Sequence, residues 1–80
     1  MSPVISISDV VTLNKQLAET GSDCKVHLRD ACGKQTLWIE APDATPQQLS
    51  QFQQRVRELC AQLGYEIEFD EFEGINFWVK

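Results

Sequence analysis

Residues 45–64 read TPQQLSQFQQRVRELCAQLG, and this stretch decides the fold. Thr45 is an N-cap, Pro46 occupies the first helical position where its missing N–H is no loss, and Gln48 completes a capping box. Leu49, Phe52, Val56, Leu59, Cys60 and Leu63 then recur at helical spacing as one apolar stripe, and Gly64 ends it. The stripe makes this helix the expected main support of the core, with Phe52→Ala expected to cost ~3–5 kcal/mol. A helix of this length between two strands is a crossover, so the strands it joins run in the same direction and are not hairpin partners.

Both flanks of that helix read as hairpins. Downstream, Tyr65, Ile67 and Phe69 alternate with Glu66, Glu68 and Asp70. A turn at Glu71-Phe72-Glu73-Gly74 follows, and Ile75, Phe77 and Val79 alternate with Asn76, Trp78 and Lys80. Upstream, Cys24, Val26 and Leu28 face one way while Lys25, His27 and Arg29 face the other. Ala31-Cys32-Gly33-Lys34 makes the turn into a second alternating run from Gln35 to Ala41, with Leu37 and Ile39 opposite Thr36, Trp38 and Glu40. A first helix over Ser6 to Thr20 precedes these. Ser6 and Asp9 form a variant capping box, Ile5 and Val10 are set for a hydrophobic staple, Leu13 and Leu17 continue the stripe, and Gly21 is the stop.

The order α-β-β-α-β-β, with one apolar face per element, predicts a two-layer α+β sandwich over residues 1–80. It comprises a four-stranded antiparallel sheet with both helices on one face. The gap between strands two and three can be filled by strand one or strand four. The basic trio Lys25, His27, Arg29 beside the acidic trio Glu66, Glu68, Asp70 favours strand one, at ~0.2–1 kcal/mol per opposed pair. The expected order is therefore 2-1-3-4, with Trp38 and Trp78 facing outward from opposite edges.

Composition narrows the function. The chain has 80 residues, 12 acidic and 7 basic side chains, and a net charge of −5. That is one small domain, poorly suited to nucleic acid, whose phosphates repel a net-negative surface. No apolar run is long enough for a membrane helix, and Met1 to Ser6 shows neither the basic nor the apolar region of a signal peptide. The 3 cysteines are an odd number that closes no complete disulfide set. Reduced thiols in a cytoplasm are the simplest reading.

Few residues carry candidate chemistry. Cys32 sits in a turn near Arg29 and Lys34, cations that would lower a thiol pKa, so it is the reactive thiol candidate. Cys24 and Cys60 fall on apolar stripes and read as core. His27 is five positions from Cys32, roughly 16 Å along an extended strand, which fits a catalytic dyad poorly. Asp30 reads as a turn cap, and Asp70, Glu71 and Glu73 as a solvated acidic turn. The glutamine-rich side of the second helix reads as a solvent face. There is no phosphate-cradling glycine loop, nucleophile elbow or zinc spacing, so no catalytic residue, metal or cofactor is expected.

The run Arg29-Asp30-Ala31-Cys32-Gly33, with Gln35, Leu37 and the upstream Leu13-Asn14, resembles the signature of the RDAC family of small bacterial proteins. The resemblance covers about a fifth of the chain. It implies a bacterial cytoplasmic source and transfers no catalytic role, since no activity is assigned to that family.

Two functions follow as expectations. The first is a non-enzymatic binding or oligomerisation module that uses the open sheet face. Trp38, Trp78, His27 and Arg29 would contact a protein partner or a second copy, with neither nucleic acid nor membrane involved. The alternative is a thiol-dependent redox or metal-responsive protein centred on Cys32. A plain structural role also accounts for the tryptophans, lying flat over the aliphatic stems of lysine and arginine.

Overall fold

The computed structural model describes residues 4–31, 34–71 and 74–80. The elements are α1 (Ile7–Glu19), β1 (Lys25–Ala31), β2 (Lys34–Glu40), α2 (Pro46–Gln62), β3 (Ile67–Phe69) and β4 (Asn76–Val79). This is the α+β architecture expected: two helices and a four-stranded antiparallel sheet.

Local chemistry starts each helix where the sequence places it. Ser6 Oγ accepts from the Asp9 N–H at 3.1 Å. At α2 both halves of the capping box form: Thr45 Oγ1 accepts from Gln48 N–H at 3.1 Å, and Gln48 Oε1 accepts from Thr45 N–H at 2.9 Å. The asparagine of α1 does more than the sequence suggests. Asn14 Oδ1 accepts from the Val26 N–H at 2.7 Å, and its Nδ2 donates to the Val26 carbonyl at 2.9 Å. One side chain thus satisfies both backbone groups of a residue on the outer edge of β1.

A single core draws on every element: Ile5, Val10, Leu13 and Leu17 from the α1 side, Cys24, Val26, Leu37 and Ile39 from the first hairpin, Val56, Leu59 and Cys60 from α2, and Ile67 and Phe77 from the second. Phe77 is its largest fully buried side chain. Phe52 is only half-buried at the margin, because the inward centre of α2 is Val56 and Cys60, a turn further along.

The strand order is β1-β2-β4-β3, and this corrects the expected 2-1-3-4. A strand does fill the gap between β2 and β3, but it is β4: Leu37 opposes Phe77, and Trp38 opposes Asn76. The physical reason lies in burial and edges. Opposed charges on a solvated face contribute tenths of a kcal/mol. Sandwiching β4 instead lets Phe77 lie between Leu37 and Phe69 in register, fully covered. Burying a phenylalanine is worth about 1.5–3 kcal/mol. The charged strands then fall at the two edges, where charge hinders unwanted strand pairing.

Three contacts among the described residues hold the flanks of the second turn. Asp70 accepts from the Gly74 N–H at 2.7 Å and from Asn76 Nδ2 at 3.0 Å. Gln53 Nε2 donates to the Gly74 carbonyl at 2.5 Å. Gly74 has φ +65°, a backbone sign that calls for glycine, and a Cβ there would displace the Gln53 amide that donates to its carbonyl. The α2 glutamines are therefore not all solvent-facing, since Gln53 ties the helix to this turn.

Candidate functional site: the open sheet face

The helices cover one face of the sheet, and the other carries the outward residues of all four strands. Reading across it from β1 to β3 gives Lys25, His27, Arg29; then Thr36, Trp38, Glu40; then Asn76, Trp78, Lys80; then Glu66, Glu68, Asp70. The tryptophans therefore stand on the two central strands, not on opposite edges. Trp38 opposes Asn76, two residues before Trp78, so the indoles are diagonal neighbours. The basic and acidic columns, expected side by side, are separated by two strands, about 14 Å at the usual interstrand spacing.

Each tryptophan meets its neighbouring edge. The His27 ring stacks on Trp38 with centroids 5.0 Å apart, and the Arg29 guanidinium lies over the same indole at 5.6 Å. His27 Nε2 lies 3.1 Å from Glu40. Trp38 is half-buried beneath these groups, which is the flat packing over basic side chains that a structural role anticipates. Among the described residues, no ring or cation covers Trp78 in this way. Its Nε1 donates to Glu68 at 3.2 Å, and the residue remains 37% exposed. Lys80 reaches Glu66 at 4.0 Å. Arg29, Thr36, Trp38, Asp70, Asn76 and Trp78 line a shallow depression of about 550 Å³. Trp38, Trp78 and Arg29 are thus brought together, with His27 beside Trp38.

Cys32, the thiol candidate, lies outside the described residues, as does the side chain of Asp30. Cys24 and Cys60 are buried core residues, as their parity implies. Burial pushes the Cys60 thiol up to about 11 and raises Cys24 as well. Across the core margin the Tyr65 hydroxyl donates to Asp9, and that hydrogen bond raises the phenol's pKa. All three groups hold their protons more tightly folded than unfolded. Their stabilisation is complete below pH about 9 and is lost as pH climbs through the folded values. Stability should therefore fall between pH 9 and 11, by roughly 2–3 kcal/mol from Cys60, at about 1.4 kcal/mol per tenfold change in proton affinity. Urea titrations across that window test this, with Cys60→Ala flattening the profile. A wild-type profile already flat there would contradict the burial argument.

The sequence reading passed over one surface feature. Val4, just before the N-cap, and Ile7 and Val11 of α1 are 60%, 74% and 61% exposed. Their spacing of three and four residues, offset from the buried Val10-Leu13-Leu17 stripe, was the available signal. Among the described residues no group of three or more His, Cys, Asp and Glu side chains is placed to hold a metal ion. None of the described helices is long and apolar enough to cross a membrane. In comparisons with family models, curated proteins and solved structures, the chain matches none of them.

Proposed function

We propose that this chain is a non-enzymatic binding module that uses the open sheet face, and that self-association through this face is its simplest form. The observation that carries the reading is the placement of Trp78, 37% exposed, beside Trp38 on the two central strands, between a basic and an acidic edge. Aromatic residues at the centre of a patch with charges at its rim are the arrangement of binding hot spots. A two-fold axis in the plane of the interface and parallel to the strands stacks the two faces. It lays the Lys25-His27-Arg29 edge of one copy over the Glu66-Glu68-Asp70 edge of the other. This arrangement is self-complementary without any other partner, and a heterologous protein partner would use the same residues.

Sedimentation at micromolar concentration tests it. Wild type should associate, more weakly at high salt because the rim charges are screened. Trp78→Ala should weaken association by ~2 kcal/mol or more, about thirtyfold. Trp38→Ala should cost less, since His27 and Arg29 already cover that ring. A wild type that stays monomeric would remove the self-association form of the proposal.

The alternative centred on Cys32 draws no support from the other two thiols, which are buried and protonated at neutral pH. The likeness to RDAC proteins is consistent with a bacterial cytoplasmic protein and adds no activity.

A further inference from the structure

β3 presents a free backbone edge with a groove beside it. Lys80 N–H donates to the Glu66 carbonyl at 2.8 Å, and Asp70 N–H donates to the Asn76 carbonyl at 2.9 Å. Residues 66, 68 and 70 therefore turn their backbone groups toward β4. In an antiparallel ladder the alternate residues, Ile67 and Phe69, turn theirs away. Among the described residues, no group takes these N–H and C=O groups. At the opposite edge, Asn14 occupies the corresponding groups of Val26.

The edge also faces a groove. A cleft of about 620 Å³ runs beside β3, lined by Arg57 and Ala61 of α2 together with Tyr65, Ile67, Glu68 and Phe69. Arg57 lies over the Phe69 ring at 5.5 Å and forms part of the groove wall. An extended chain laid along β3 would place alternate side chains against this wall. The intervening ones would fall on the open face beside Glu66, Glu68 and Asp70.

We propose that the β3 edge is a strand-addition site for an extended segment of a partner protein that alternates basic and apolar residues. Backbone pairing to Ile67 and Phe69 supplies the docking, apolar side chains fill the α2-walled groove, and lysine or arginine side chains meet the acidic column. Charge selects this occupant over a second copy of β3, because antiparallel pairing of two β3 edges sets Glu66, Glu68 and Asp70 beside their own equivalents.

The probe is a short capped peptide alternating lysine and valine, titrated into the full chain. Binding should slow hydrogen exchange of the Ile67 and Phe69 amides. N-methylation of one alternate set of peptide residues should abolish binding, while methylation of the other set leaves it intact, since only one set turns its amides toward β3. Glu66→Lys, at a side chain 80% exposed, should weaken binding by about fivefold or more. Trp38→Ala should bind as wild type does, which separates this edge from the sheet face. No binding at millimolar peptide, unchanged exchange at Ile67 and Phe69, or equal tolerance of both methylation patterns would each overturn the proposal.

Discussion

Phe77→Ala should cost about 3–5 kcal/mol and bring the domain to the verge of unfolding at room temperature. Phe77 is fully buried on a central strand. Leu37 opposes it on one side and Phe69 on the other, the two phenylalanine rings 5.0 Å apart. Its truncation removes ring contacts with both neighbours and leaves a cavity that a two-layer domain closes only by moving strands apart. Domains of this kind have about 5–15 kcal/mol in total. At about 4–8 °C per kcal/mol, the thermal midpoint should drop by about 12 °C or more. Phe77→Leu, which keeps most of the volume, should lose far less. Phe52→Ala should also lose less, because Phe52 is half-buried at the margin of α2. Thermal and urea unfolding of the three variants decides the ranking. A larger loss at Phe52 than at Phe77 would contradict the burial pattern described.

Asn14→Ala should cost about 2–3 kcal/mol, unusual for a half-buried polar residue. The amide makes two hydrogen bonds to one backbone residue, Val26, both under 3 Å. Removing it strands a part-buried N–H and C=O together, and each unsatisfied group costs about 1–3 kcal/mol before water compensates. The variant should show a second effect that a simple packing loss would not. With the Val26 groups open, the basic β1 edge matches the acidic β3 edge of another copy, and head-to-tail pairing of this kind does not close. Asn14→Ala should therefore aggregate more as concentration rises, and salt should suppress this. Asn14→Asp separates the two bonds, since a carboxylate still accepts from the Val26 N–H but cannot donate to the Val26 carbonyl. Equal stability of Asn14→Ala and wild type would show that water replaces the amide fully.

Much of the fold was legible because its signals are local. The cap residues Ser6, Thr45 and Gln48 bond to backbone within three positions, so their spacing alone locates the helix starts. Strand parity came from alternation, and it puts Val26, Leu37, Ile67 and Phe77 in the core as read. The roles of Asn14 and Gln53 were not legible. Their partners lie 12 and 21 positions away, and nothing in a polar residue on a helix tells which carbonyl it will meet. The outward direction of Trp38 and Trp78 was readable, but not their adjacency, which depends on which strands are neighbours.

By itself, the sequence determined the number, kind and order of the elements, the inward face of each, and the antiparallel sheet with a strand between β2 and β3. These follow from periodicity and caps, interactions that act over a few residues. Only the tertiary structure decided which strand fills that gap. Strand one and strand four both satisfy the connectivity, and the exposed charges that favoured strand one are worth little in water. The choice rests on the fit of Phe77 between Leu37 and Phe69. Complementarity of buried shape arises when distant segments meet, so it leaves no periodic mark on the chain. That packing brings Trp38 and Trp78 to the centre of the open face and sends the two charge columns to its edges.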